Sequence, residues 1–161
     1  MQHVIDSAAF RQVLGHFATG VTVITAATDG GPVGLAVNSF TSVSLDPPLV
    51  AFCAAHSSST WPHIQNAGHF CVNIIAEDQE DVSRLFATKD ADRFTTIKWR
   101  TSTHSGAPIL EDVLAWLDCT IDAEHGAGDH VIVVGRVQEL GVEREGKPLV
   151  FFKGGYGRYQ G

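Results

Sequence analysis

The spacing of apolar residues changes period repeatedly along the chain. Phe10, Val13, Leu14 and Phe17 recur at helical spacing and predict a helix over residues 7–18, with Ser7 as N-cap and Gly20 as the stop. The β-branched run VTVITAAT predicts a strand over 21–28, and Asp29, Gly30, Gly31 and Pro32 a hairpin turn. A third strand is expected through 36–48 and a short one over 49–54. SSSTWPHIQNA predicts a helix over 57–67, with Pro62 tolerated in its first turn. Residues 69–75 read as a strand and 78–87 as a helix, with Val82, Leu85 and Phe86 on one side and Glu80 paired with Arg84 on the other. Alternation is cleanest over 115–124, where Ala115, Leu117, Cys119, Ile121 and Ala123 face one way. The Gly-rich turn HGAGDH leads into a strand over 131–140, and LVFF is a last short strand before GGYGRY. Short strands joined mostly by hairpins, with three inserted helices, do not fit a doubly wound parallel sheet. They predict a mainly β fold, an antiparallel barrel with short flanking helices, as one domain over 1–161.

The stretch AVNSFTSVSLDPP breaks the strand pattern. Phe40 shares a face with Asn38, Ser42 and Ser44, while Val43 and Leu45 share the other with Ser39 and Thr41. A half-buried strand keeps one face apolar. Hydroxyls and an amide on both faces therefore mark either bulge and turn residues or a polar lining for a ligand. Val43 and Leu45 are expected in the core. Asp46, Pro47 and Pro48 end the strand, since two prolines cannot serve a ladder.

Composition narrows the classes. The 161 residues are 44% apolar and 9% aromatic, which suits one globular domain. A net charge of −7, with no Lys/Arg cluster, argues against nucleic acid and anionic membrane as partners. The N-terminus lacks a basic region followed by an apolar core, and no apolar run approaches the roughly 20 residues of a membrane span, so a cytoplasmic protein is expected. Cys53, Cys71 and Cys119 are odd in number, far apart and set in apolar runs, which predicts buried thiols in a reducing compartment. The apolar content is high for a small barrel whose loops are rich in Ser, Thr and Gly. A homodimer burying part of the sheet would use it.

Familiar catalytic motifs are missing: no G-x-S-x-G, P-loop, H-E-x-x-H, C-x-x-C or G-x-G-x-x-G, so any nicotinamide use is not Rossmann-type. His125, Asp129 and His130 surround a Gly-rich turn too flexible to fix metal geometry, and no metal is expected. The alternatives there are a turn capped by Asp129, or a His130 that projects into a pocket. Ser57, Ser58, Ser59 and Thr60 are more hydroxyls than one helix cap needs; together they also make an anion site. Arg93, before Phe94, is either an exposed loop arginine or a cation beside an anionic ligand. A flat phosphorylated heteroaromatic ligand, such as a flavin, would use both the polar stretch and the SSST start, which only LVAFCA separates.

Taken in order, FRQVLGHFATGVTVIT, AVNSFTSVSLDPPLVAFC, SSSTW, HFCVNII, KDADRF, GDHVIVVGRV and PLVFFKGGYGRY resemble the short-chain flavin reductases. These are the NAD(P)H:flavin oxidoreductase components of two-component monooxygenases. No segment is unique, but the ordered set covers nearly the whole chain. The resemblance implies an FMN-binding split β-barrel of antiparallel Greek-key type, built as a homodimer with the flavin site near the subunit interface. It implies flavin contacts from Thr19, Asn38, Ser39, Phe40, Thr41, Ser42, Ser44, Cys53, Ala54, Ser57, Ser58, Ser59, Thr60, Arg93 and Phe94. It places His130 beside the nicotinamide as the catalytic residue, with Lys153, Gly154 and Tyr156 bordering the same cleft. Some members continue with a further C-terminal segment where this sequence stops at Gly161, which bears on tail contacts to the nicotinamide.

The implied reaction is hydride transfer from NADH or NADPH to FMN or FAD, with reduced flavin leaving for a separate oxygenase component. Ring alignment carries the rate and no side-chain acid or base is obligatory. The alternatives are a non-catalytic flavin- or haem-binding split barrel, and a flavin enzyme of the pyridoxamine-phosphate oxidase branch. Asn38, Ser39 and Thr41 are the leading flavin contacts. Arg136, Arg144, Lys147 and Arg158 are each a candidate for a 2′-phosphate.

Overall fold

A computed structural model describes residues 4–89 and 91–161. In chain order the elements are α1 (Ser7–Leu14), β1 (Thr19–Gly20), β2 (Thr22–Thr28), β3 (Gly31–Val37), β4 (Thr41–Leu45), β5 (Pro48–Ala55), α2 (Trp61–Ala67), β6 (His69–Ile74), α3 (Glu80–Ala87), β7 (Trp99–Thr101), β8 (Pro108–Leu110), β9 (Ala115–Ala127), β10 (His130–Val142), β11 (Leu149–Phe152) and β12 (Gly155–Arg158). The order β3-β2-β6-β9-β10-β5-β4 makes a seven-stranded sheet, and β1-β11-β12 and β7-β8 make two smaller ones. Every strand pair is antiparallel, so the mainly β expectation holds.

The large sheet curves because its longest hairpin is irregular. The β9–β10 register shifts between Val134 and Gly135 and again between Val137 and Glu139. Such bulges bend a strand and increase its twist. At the first bend a Cβ on Gly135 would lie 2.4 Å from the Phe70 ring, so only glycine lets the ring close on the strand. Phe70 meets Phe52 edge-on at 5.0 Å, and Phe52 meets Trp61 at 5.9 Å. With Ile24, Ile64, Val72 and Val133 these rings fill the sheet's concave side. A second core, with Val23, Ile75, Phe86, Ile109 and Leu149, lies where α3, β8 and β11 cover the other side. The polar groups inside are partnered. Asn73 accepts from Leu110 N (2.9 Å) and donates to Val23 O (3.2 Å). Asp118 is fully buried and accepts from Ser105 Oγ (2.6 Å) and Ser105 N (3.1 Å), which explains a carboxylate inside the otherwise alternating β9.

Several expectations need correction. α1 stops at Leu14; Asp6, not Ser7, is its N-cap, and Gly15 rather than Gly20 closes it. The stretch AVNSFTSVSLDPP is two strands, broken at Asn38–Phe40. Val43 and Leu45 are not core residues: they are 52% and 96% exposed. β4 is an edge strand with a register shift at Val43, and neither residue meets a covering layer. Pro48 opens β5 opposite Leu45, a first position where no N–H is required. α2 begins at Trp61 because the serines before it form a turn, and α3 begins at Glu80. HGAGDH is mostly strand, and only Gly128 and Asp129 turn between β9 and β10. Cys71 and Cys119 are buried thiols, whereas Cys53 is half-buried; all three are free. Among the described residues no helix is long and apolar enough to cross a membrane.

Candidate functional site

The break between β3 and β4 is pinned by one side chain. The Ser39 hydroxyl accepts from Cys53 N (3.0 Å) and donates to Cys53 O (3.2 Å), tying the connecting segment to β5. Thr41 Oγ1 donates to Ser42 O, and Phe40 packs against the barrel core. The exposed Asn38 amide and the Ser42 and Ser44 hydroxyls have no hydrogen-bond partner among the described residues. The failed alternation thus sets two kinds of polar group side by side: one that holds the break, and several left free. Cys53 and Ala54 lie beneath in β5, opposite Ile132 and Val131.

A cavity of about 430 Å³ is lined by the start of β3 at Pro32, Val33 and Gly34 and by Ser59, Thr60, Ala91, Asp92, Arg93 and Phe94. The structure therefore gathers four of the predicted residues from two distant segments. Arg93 is braced: Nη1 donates to Gly34 O and to Thr60 Oγ1 (3.2 Å), and Nη2 to Thr88 O (3.0 Å). Ser58 Oγ accepts from Thr60 N (3.2 Å) and Trp61 N (3.1 Å), so capping takes the two amides that an anion would use. Ser57 and Ser59 stay exposed, without an internal partner.

A smaller cavity, about 150 Å³, is lined by Val21, Ala36, Val37, Asn38, Ala87, Phe151 and Tyr156. Tyr156 is fixed on three sides: its hydroxyl meets Ser83 Oγ at 2.8 Å, the Arg84 guanidinium lies 4.9 Å over the ring, and Phe151 packs edge-on at 5.5 Å. Thr19 pairs with Phe151, and its Oγ1 is buried without a hydrogen-bond partner. Lys153 and Gly154 form the β11–β12 turn with φ of 51° and 75° and border a third cavity, on the α1 side.

His130 opens β10 opposite Ala55 and lines none of these three cavities. Its Nδ1 lies 2.7 Å from Asp129 Oδ1. That contact, with the imidazole's charge, holds the Asp129 carboxyl below the usual carboxylate range. An ionised carboxylate only accepts, so Nδ1 donates to it. The His56 ring donates from Nε2 to His130 O (2.9 Å), and His56 N donates to Asp129 O, which fixes the turn. Among the described residues no three metal-ligating side chains converge.

The donor set suits a flavin: a free amide and hydroxyls at a strand break, an orphaned Thr19 hydroxyl, and a braced arginine between hydroxyls. Residues 14–160 match the family described as the flavin reductase like domain. The chain belongs to that family. It is 49% identical to a flavin reductase of Pseudomonas putida over 99% of this chain and 94% of the relative. It is 47% identical to the reductase subunit HsaB of a flavin-dependent monooxygenase of Rhodococcus jostii, over 94% of this chain and 77% of the relative. Among solved structures, nitrilotriacetate monooxygenase component B from Mycobacterium thermoresistibile superposes with a TM-score of 0.92 at 46% identity, covering 96% of this chain and 87% of that one. The flavin reductase fold accounts for the split arrangement of a curved sheet with small flanking sheets.

Sequence reasoning missed the supporting residues. Ser83, Asp129, His56 and Gly34 carry no motif signal of their own. Ser83 and Gly34 are seen only once α3 packs on β3, where a Cβ at Gly34 would lie 2.8 Å from the Phe86 ring. For Asp129 the sequence leaves a metal ligand and a turn cap as alternatives, and the structure sets its carboxylate 2.7 Å from His130 Nδ1.

Proposed function

We propose that the protein is an NAD(P)H:flavin oxidoreductase that supplies reduced flavin to a separate monooxygenase component. The observation that carries this is the break at Asn38–Phe40, clamped by Ser39 to β5 and flanked by unpartnered polar groups, in a chain matching the flavin reductase family over 14–160. The flavin, FMN or FAD, would be held along this break. Asn38, Ser42 and Ser44 would meet its pyrimidine edge or ribityl chain, with Thr19, Phe40, Thr41, Cys53 and Ala54 lining the bed. Ser57, Ser59, Thr60 and Arg93 would meet its phosphate, with Ser58 capping α2 and Phe94 as an apolar wall. A bound flavin supplies the hydride acceptor for the reduced nicotinamide, NADH or NADPH.

The chain's own residues orient and exclude. Asp129 fixes the His130 ring so that Nε2 is offered to the nicotinamide nucleotide. Tyr156, held by Ser83 and Phe151, forms a rigid aromatic wall. Alignment of this kind can supply much of the acceleration, and no side chain has to accept the hydride. The working unit is a homodimer. Phe10, Val13 and Leu14 of α1 with Phe17 just after it, the β4 residues Val43 and Leu45, and Leu140 with Val142 are all exposed, apolar surface that a second subunit would cover. A second subunit would also bring further groups to His130.

The deciding experiment is NADH and NADPH oxidation with and without FMN, FAD or riboflavin. Flavin-dependent consumption is expected. A tight flavin or haem spectrum with no turnover would replace the reductase with a binding protein.

A further inference from the structure

The third cavity, about 460 Å³, lies between α1 and the β11–β12 turn and is lined by Ala8, Arg11, Gln12, Gly15, His16, Lys153 and Gly154. In a chain of net charge −7, three basic residues border it and no carboxylate does. Three other cavities with charged linings include acids: Glu111, Asp112 and Glu143 with Lys98 and Arg100; Asp92 with Arg93; and Glu77, Asp78, Glu80 and Asp81 with Arg158. Arg144, a candidate for a ribose phosphate by sequence, is paired with Asp78 at 2.6 Å. Among the described residues Arg11 and Lys153 form no ion pair.

The end of a helix repels anions through its free carbonyls, but here those carbonyls are occupied. Gly15 N donates to Arg11 O and His16 Nδ1 to Gln12 O. His16 N donates to Val13 O and Phe17 N to Leu14 O. Lys153 N donates to Gly15 O (2.8 Å), locking the turn onto the helix. The cations among the lining residues are Arg11 and Lys153, the latter with its ammonium 5.3 Å over the Phe152 ring. Ala8, Arg11, Gln12 and Gly15 recur at i, i+3, i+4 and i+7 and form one face of α1. The apolar stripe, starting two residues later at Phe10, lies about 200° around the helix. A partner covering that stripe leaves the cavity open. The same hairpin carries Phe151 and Tyr156 of the second cavity, about 7 Å along the strands from the Lys153 turn.

We propose that this cavity binds the adenosine-side phosphates of the reduced nicotinamide nucleotide through Arg11, His16 and Lys153, while the nicotinamide lies toward Tyr156. This rests on the reductase reading above. The test uses riboflavin, which has no phosphate, as acceptor, and NADH, NADPH and reduced nicotinamide mononucleotide as donors. The mononucleotide lacks the adenosine half. For Arg11→Ala, kcat/KM for NADH and NADPH should fall about tenfold relative to that for the mononucleotide, the worth of one charge-assisted bond. Arg11→Lys should restore most of it. Equal falls for all donors, or none, would overturn the site. A fall seen only when FAD replaces riboflavin would assign the cavity to flavin phosphates and overturn it for the donor. A wild type that oxidises no donor with any flavin would remove the reductase reading itself, and this ligand with it.

Discussion

Replacing Ser39 by alanine separates a clamp from a contact. The hydroxyl makes two bonds to one peptide unit, accepting from Cys53 N at 3.0 Å and donating to Cys53 O at 3.2 Å. A net protein hydrogen bond is worth about 0.5–1.5 kcal/mol. Ser39 is exposed, so water replaces part of what is lost, and about 1–2 kcal/mol is the expected cost. For a domain of this size that lowers Tm by roughly 2–8 °C. The segment it releases carries Asn38, whose amide has no internal partner. Asn38→Ala should therefore leave Tm within about 2 °C, since surface changes usually stay within ±0.5 kcal/mol. It should nevertheless weaken flavin binding by about fivefold to tenfold, the worth of one hydrogen bond to a ligand. Thermal unfolding by circular dichroism and flavin titration by fluorescence quenching, run on both variants, give the comparison. Ser39→Ala should change both readouts and Asn38→Ala only the second. A Ser39→Ala protein with unchanged Tm and flavin binding lost as in Asn38→Ala would refute the clamp and make Ser39 a direct contact.

Four further outcomes follow from the geometry. His130→Ala should slow reduction or weaken nicotinamide binding without abolishing flavin binding, read by stopped-flow at saturating flavin; unchanged rate and affinity would remove His130 from the site. Gly135→Ala forces a Cβ to 2.4 Å from the Phe70 ring and should cost about 1–3 kcal/mol in chemical denaturation, as overpacking does. Burial, and secondarily the Asp118 charge, pushes the Cys119 thiol up to about 12 and the Cys71 thiol up as well. Both therefore stay protonated in the fold while the unfolded thiols ionise above 9.0. A thiol reagent at pH 8 should label Cys53 alone, and stability should fall as pH rises from about 9 toward 12, by up to about 1.4 kcal/mol per pH unit for each thiol. Light scattering should give a dimer mass for the wild type, as proposed, and a monomer mass for Leu14→Glu, on the exposed stripe of α1; a dimeric Leu14→Glu would place the interface elsewhere.

The barrel was legible in the sequence because its strands announce themselves locally. β2, β6 and β9 carry β-branched or alternating runs, and Gly-rich or Asp-containing turns separate the hairpins. Helix bounds and exposure were less legible, because both are decided by what packs where. Phe10, Val13, Leu14 and Phe17 have the spacing of a buried face, yet all four are exposed among the described residues, and the same pattern serves equally for an interface. Leu45 looked like core for the same reason. β7 and β8 have three residues each, too few for a period to show. At the site, residue type was legible and role was not. Ser39 and Asn38 are neighbours of similar polarity, and only the fold shows one consumed by Cys53 and the other free.

That division orders the whole constellation. Ser58 satisfies two amides of α2, Arg93 bridges Gly34, Thr60 and Thr88, and the Tyr156 hydroxyl is held by Ser83. Each could reach a ligand only by giving up a bond or using its remaining valence, so each mainly fixes shape. Asn38, Ser42, Ser44, Ser57 and Ser59 have no such bond among the described residues to give up. A scaffold that had to break its own hydrogen bonds to accept a flavin would lose about 1 kcal/mol for each one broken. In the proposed site, affinity can therefore be tuned at the five unpartnered side chains, while the Ser39, Ser58 and Arg93 bonds keep the bed in place. The strand that fails to alternate is stable because one of its hydroxyls is turned inward onto β5 while its neighbours are left unbonded.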